Sequence, residues 1–170
     1  MARRVVTGAI FATVLAVAID GVAADPPPIT AEGWGRVHIG MTLGQVAEVL
    51  GEELVMTDPG LDGCFYVEPV SRPGVEFMII VDEVVRIEAT DPVIGAEGGL
   101  HLGSSLSALI DVFGDRARVA PNHYVEVWRD VFVRDGAGNY GMVFEVDEAG
   151  RVIGIRGGSA RYVGMVERCA

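Results

Sequence analysis

Basic residues, histidines and cysteines are what this chain of 170 residues is short of. It carries 13 basic residues against 24 acidic ones, with a formal net charge of −11 and a pI near 4.6. That deficit of positive charge argues against nucleic acid as a partner and disfavours an anionic membrane surface, because an acidic chain is repelled by phosphate backbones and anionic headgroups. The three histidines, His38, His101 and His123, form neither a His-x-x-His nor a His-Glu-x-x-His spacing, so a zinc site has no local support. His38 and His101 meet only if the fold brings them together; the simpler reading puts each at a strand end.

Nucleophile and phosphate motifs are missing as well. "GGSA" at 157–160 is not the G-x-S-x-G elbow, and "GWG" and "RGG" lack the strand–loop–helix setting of a phosphate loop. Some carboxylate pair always exists among 24 acidic residues, and none stands out. Glu48 and Asp111 fall on the polar faces of helices, and Glu145 projects to solvent by simple alternation. No catalytic residue, metal ligand or cofactor is indicated, and the chain reads as non-enzymatic.

Long apolar runs are confined to one place. "MARRVVTGAIFATVLAVAIDGVAADPPP" has Arg3 and Arg4 at the front, an apolar stretch from Val5 to Ile19, and Val22 and Ala24 before Asp25. This is the pattern of a secretory signal peptide over residues 1–24, followed by a Pro-rich linker at 25–28. The stretch is short for a membrane span, and no other stretch of about 18 apolar residues exists, so no transmembrane segment remains after cleavage. Two arginines also fit a twin-arginine signal, and the sequence leaves the export route open. The expected location is periplasmic or secreted. In an oxidising compartment Cys64 and Cys169 have one intramolecular pairing available, a disulfide worth about 4–5 kcal/mol for a loop of this length in the chain-entropy model. The alternative is a pair of buried free thiols.

What is present is a near-repetition. "HIGMTLGQVAEVLG" at 38–51 is echoed by "HLGSSLSALIDVFG" at 101–114. Leu43, Val46, Ala47 and Leu50 follow a helical apolar spacing, as do Leu106, Leu109, Ile110 and Phe113. Thr42 with Gln45 has capping-box spacing, Ser104 or Ser105 can cap the second helix, and Gly51 and Gly114 stand at the C-terminal stops. Period-two patterns then predict strands at 64–67, 75–81, 83–89, 123–128, 130–134, 140–146 and 151–156, with a hairpin turn at Asp82-Glu83. The tail at 162–169 adds a final strand or lies along the first half. The predicted fold class is α+β: two tandem repeats, 29–91 and 92–170, each a short helix packed on an antiparallel β-sheet.

The "IGMTLGQVAEVLG" stretch resembles the small outer-membrane-assembly lipoprotein domain, in which a Gly-Met-Thr turn opens a helix ending in Leu-Gly. Two such units in tandem resemble the β-lactamase-inhibitor-protein architecture. The resemblance covers Ile39–Gly51 and, loosely, Leu102–Gly114, and elsewhere extends to element order alone. The chain has no cysteine near its mature start to be lipidated, and its two cysteines bridge across the repeats where the inhibitors have a disulfide within each. No inhibitory residue is therefore carried over.

Aromatic residues give the remaining functional signal. Tyr124 and Trp128 alternate with Val125 and Val127, which predicts an outward Tyr/Trp stripe on a sheet, joined by Phe132 and Tyr66. The competing reading makes the aromatic face the core. Arg151, Arg156, Arg161 and Arg168 add a basic quarter that either binds an anion or pairs with nearby carboxylates. The functional expectation is an exported, non-catalytic binding module acting through an exposed sheet face on another exported or envelope protein, in one form as an enzyme inhibitor. A structural or assembly role at the cell envelope is the second reading, and an enzyme with an unrecognised site the third. No oligomeric state follows from the sequence.

Overall fold

The computed structural model describes residues 25–169; the signal-peptide reading of 1–24 lies outside them. A small ribbon, β1 (Gly33–Trp34) and β2 (Val37–His38), leads into α1 (Leu43–Leu50). Four strands follow: β3 (Leu54–Asp58), β4 (Cys64–Pro69), β5 (Val75–Ile80) and β6 (Glu83–Ala89). Then come α2 (Leu106–Phe113), β7 (Ala117–Pro121), β8 (Arg129–Arg134), β9 (Tyr140–Val146) and β10 (Val152–Ser159).

The helices start where their side chains can satisfy the first backbone N–H groups. The Gln45 N–H donates to Thr42 Oγ1 at 3.3 Å, and the Thr42 N–H donates to Gln45 Oε1 at 2.9 Å. Ser105 does half of this for α2, accepting from the Ala108 N–H at 3.1 Å. Gly51 ends α1 with φ +72°, a left-handed turn that a residue with a Cβ enters at a cost. Of the predicted apolar face of α2, Leu109 and Phe113 are buried, whereas Ile110 is 39% exposed, because the short helix presents a narrow stripe.

All eight strands from β3 to β10 join in one antiparallel sheet, ordered β3-β4-β5-β6-β10-β9-β8-β7. This corrects the predicted fold class. Among the described residues there are not two helix-on-sheet units; there is one eight-stranded sheet, a two-stranded ribbon and two eight-residue α-helices. The seam is β6 against β10, with Ile155 opposite Ala89, Arg156 opposite Glu88 and Gly158 opposite Arg86. Physically, one eight-residue helix cannot cover a separate four-stranded sheet, and joining the central edges removes two rows of unpaired backbone groups. β3 and β7, which carry weak alternation, were not predicted and form the two outer edges.

Two local expectations also change. The β5–β6 turn residues are Val81 and Asp82, with φ of +51° and +63°, one residue earlier than Asp82-Glu83. Residues 123–128 form a loop, not a strand. Asn122 explains it: its Oδ1 accepts from the N–H groups of Tyr124 and Val125, both at 3.0 Å, taking the donors that a strand ladder needs.

One sheet face carries the main core. Val46 of α1 and Leu109 and Phe113 of α2 pack with Phe77, Ile87, Phe144 and Ile155. Each large apolar side chain buried this way contributes about 1.5–3 kcal/mol. Ile29 enters the same core, and its neighbour Thr30 crosses so close to β10 that a Cβ on Gly157 would meet the Thr30 oxygen at 2.2 Å. The opposite face holds a smaller cluster, Tyr66, Met78, Val85 and Cys169. Residues 160–169 lie over that cluster without forming a strand, tied down by the Cys64–Cys169 disulfide, with a Cα–Cα distance of 5.2 Å.

Candidate functional site

The face beneath the C-terminal tail is unusually polar for a covered surface. Alternation places Glu76, Arg86, Glu88 and Arg156 on it, opposite the core-facing Phe77, Ile87 and Ile155. Arg86 is 1% exposed, and each of its three guanidinium nitrogens has a partner. Its Nε donates to Glu88 Oε1 at 2.8 Å, its Nη2 to the Tyr66 hydroxyl, and its Nη1 to the carbonyls of Met165 at 2.8 Å and Tyr162 at 3.2 Å. The Tyr66 hydroxyl donates in turn to Glu88 Oε1 at 2.6 Å. Burial pushes the Tyr66 phenol well above its ordinary range, and the adjacent Glu88 carboxylate adds to that shift.

Arg156 under the tail and Arg168 within it are similarly engaged. Arg156 donates to Glu145 Oε1 at 2.7 Å and to the Met165 carbonyl at 2.9 Å. Arg168 donates to Glu76 Oε2 at 2.8 Å, lies 3.5 Å from Glu88 and 3.6 Å from Asp58, and places its guanidinium 3.8 Å from the centre of the Tyr66 ring. Burial opposes the Arg168 charge, but the hydrogen bond to Glu76 and the carboxylates of Glu88 and Glu76 outweigh it and hold the group more firmly protonated than usual. The basic C-terminal quarter seen in the sequence thus divides. Arg156 and Arg168 pair with carboxylates, and Arg161 stacks 5.1 Å from the Tyr162 ring. A set of guanidiniums already satisfied in this way fastens the tail and has little left to offer a ligand.

The tail covers only part of the sheet. At the β7–β8 end the same face is open, forming a cleft of about 630 Å³ lined by Arg116, Arg118, Ala120, Phe132 and Arg134. Local sequence explains the arrangement. Arg118 stands opposite Phe132 and Ala120 opposite Asp130. Val131 and Val133 point into the main core, which turns Phe132 and Arg134 to the other side. Arg116 ends the short 3-10 turn, Gly114–Arg116, that leads into β7 and lines the same cleft. The tail reaches the Phe132 ring from another side, where a Cβ on Gly164 would stand 3.6 Å from it.

Electrostatically the cleft is the reverse of the tail-covered area. Arg116 has one solvent-exposed pair, with Glu97 at 3.7 Å, and lies over the Phe113 ring at 5.3 Å. The exposed side chains of Arg118 and Arg134 have no ion pair or hydrogen bond among the described residues. The nearby carboxylate of Asp130 is 4% exposed and is held by the Asn122 amide at 2.9 Å.

The predicted partner-binding residues are not gathered on one face. Tyr66 is fully buried in the tail-covered cluster and offers no surface. Tyr124 is 62% exposed on the 122–128 loop, where its hydroxyl bonds Glu167 of the tail. That bond raises the Tyr124 phenol above its ordinary range. Trp128 closes the same loop, half-buried, its N–H bonding the Val125 carbonyl at 2.9 Å. Of the four, Phe132 alone lies on an open sheet face and lines the cleft. Sequence reasoning missed Arg116, Arg118 and Arg134. The available signal was "RAR" at 116–118, two arginines close together, with a third in "VFVR" at 131–134. His38 and His101 are both exposed, the latter with its ring Nδ1 2.8 Å from the Leu102 carbonyl.

No family model matches the chain, and no curated protein matches it. Among solved structures it is similar to a cysteine-rich secretory protein from Staphylococcus aureus, at 13% identity and a TM-score of 0.43, over 80% of this chain and 49% of that one. The chain thus spans about half the length of that protein, and similarity at this level carries no functional conclusion.

Proposed function

We propose that this protein is an exported, non-catalytic binding module that engages a partner protein through the open β7–β8 end of its sheet. The observation that carries the reading is the contrast within one sheet face. In and beneath the tail the guanidiniums of Arg86, Arg156 and Arg168 have their carboxylates or carbonyls, whereas beside Phe132 two are left without any among the described residues. Concentrated like charge costs stability in the free protein, so the arrangement is best understood as complementary to something outside it. The half-buried Phe132 supplies an apolar floor of the kind found at binding hot spots.

An oxidising compartment suits the Cys64–Cys169 bond, and no helix among the described residues is long and apolar enough to cross a membrane. The periplasm or the extracellular medium is the location that goes with this reading.

The test is affinity capture from an extract of exported proteins, with wild-type protein and Phe132→Asp side by side and each protein retained identified. A defined partner lost with Phe132→Asp but kept with Tyr124→Ala supports the reading. Equal capture of every partner by wild type and Phe132→Asp refutes it.

A further inference from the structure

We infer that the Phe132 cleft takes a short, extended acidic peptide segment, its carboxylates on Arg118 and Arg134 and an apolar side chain between them on Phe132. This rests on the binding-module reading above and names the chemistry of its partner.

Three features converge on that ligand. The first is charge. The chain contains no lysine, so all 13 of its cations are arginines, and three of them line this one cleft. Guanidinium is the group that pairs with carboxylates in a two-pronged, planar fashion, and here two such groups are exposed without partners. The second is spacing. Arg118 and Ala120 are same-face positions on the extended strand β7 and lie about 7 Å apart. A bound extended segment has the same period and therefore sets alternate side chains against Arg134, the Arg118–Phe132 row and the small Ala120. The third is the surrounding field. With a net charge of −11, the rest of the molecule repels an extended polyanion, which favours a few carboxylates on a short segment over nucleic acid or an anionic membrane.

Ligands of other sizes fit less well. A single small anion uses the arginines but leaves the Phe132 and Ala120 floor wet. An apolar peptide covers that floor and leaves Arg118 and Arg134 uncompensated.

The experiment uses the full disulfide-bonded protein and fluorescein-labelled hexapeptides read by anisotropy. The probes are a Glu/Leu alternating peptide, its Gln/Leu counterpart and its Lys/Leu counterpart. The Glu/Leu peptide is expected to bind at least tenfold more tightly than the Gln/Leu peptide, and the Lys/Leu peptide not to bind. Arg118→Gln and Arg134→Gln are each expected to weaken the Glu/Leu peptide about tenfold, and raising salt from low concentration to about 0.15 M to weaken it several-fold. Both substitutions are at exposed positions, and unchanged circular dichroism and thermal midpoint show that the fold is intact. Equal binding of the Glu/Leu and Gln/Leu peptides, or undiminished binding in the Arg118→Gln/Arg134→Gln double variant, overturns the inference. If the peptides fail while Phe132-dependent capture of a partner persists, the acidic-segment inference alone falls; if that capture also fails, the binding-module reading falls with it.

Discussion

Arg86 and Arg156, on the adjacent central strands β6 and β10, donate to the same acceptor, the carbonyl oxygen of Met165, at 2.8 and 2.9 Å. The carbonyl belongs to the tail, so one backbone atom links the two strands of the sheet seam to the segment covering them. Each guanidinium also holds a carboxylate, Glu88 and Glu145 respectively. The seam, the tail and the disulfide are thus parts of a single construction.

Removal of Arg86 breaks that construction most severely. Arg86→Met takes a donor from the Tyr66 hydroxyl and the Tyr162 carbonyl, leaves the Met165 carbonyl with Arg156 alone, and deprives Glu88 of its nearest cation. Breaking a buried pair on one side costs about 3–5 kcal/mol. Urea unfolding followed by circular dichroism is expected to show a loss of that order, with Arg118→Gln within about 0.5 kcal/mol of wild type. Equal midpoints for the two variants contradict the assignment of Arg86 as structural and Arg118 as available.

Loss of the disulfide acts mainly through the unfolded chain. The bond joins residues 105 positions apart, and a closed loop of that size is worth about 4–5 kcal/mol. Cys64→Ser/Cys169→Ser is expected to lower the thermal midpoint by many degrees and to accelerate amide exchange at Tyr162 and Val163, whose N–H groups both bond the Ser159 carbonyl at 2.9 Å. Unchanged exchange at these two amides shows that the tail is held without the bond.

Alkaline pH tests the burial of Tyr66. Its phenol titrates above the ordinary 10.0, chiefly because burial disfavours the phenolate and also because Glu88 lies beside it. A folded pKa above the unfolded one means that the associated stability is fully present below pH 10 and is lost as pH rises beyond it toward the folded value. Wild-type stability is therefore expected to fall more steeply above pH 10 than that of Tyr66→Phe, which itself loses about 1–2 kcal/mol at neutral pH with its hydroxyl. Parallel pH profiles for the two proteins would falsify this account.

Gly158 tests the seam itself. A Cβ there would meet the Val85 carbonyl oxygen at 2.5 Å and the Arg86 Cα at 2.9 Å, both backbone atoms that cannot turn aside. Gly158→Ala is expected to cost about 1–3 kcal/mol by overpacking, while Gly136→Ala, where the added methyl meets nothing within 4 Å, costs far less. Thermal melts of the two variants supply the comparison.

The parts of this molecule that depend on near neighbours were readable in the chain. Thr42, Gln45, Ser105 and Gly51 mark helix ends because caps are satisfied within three or four residues. The strands β5, β6 and β9 were visible because apolar residues alternate over six or seven positions. The same rule failed at 123–128, where Asn122 takes the backbone donors, and the aromatic surface expected there dispersed with the strand. Phe132 kept its place because β8 did, while Tyr66 shares a similar alternating pattern and lies beneath the tail.

By itself the sequence determined the helix caps, most strand positions, the one possible cysteine pairing and the acidic balance, since each is a property of adjacent residues or of composition. Only the tertiary structure decided that β6 meets β10 in one sheet, and that Glu145 of β9 pairs with Arg156 and Glu76 of β5 with Arg168 of the tail, while Arg118 and Arg134 stay unpaired among the described residues. The reason is that hydrogen bonding across a seam and the pairing of charges depend on which distant segments share a face, and alternation along a strand says which side a residue takes without saying what will cover it.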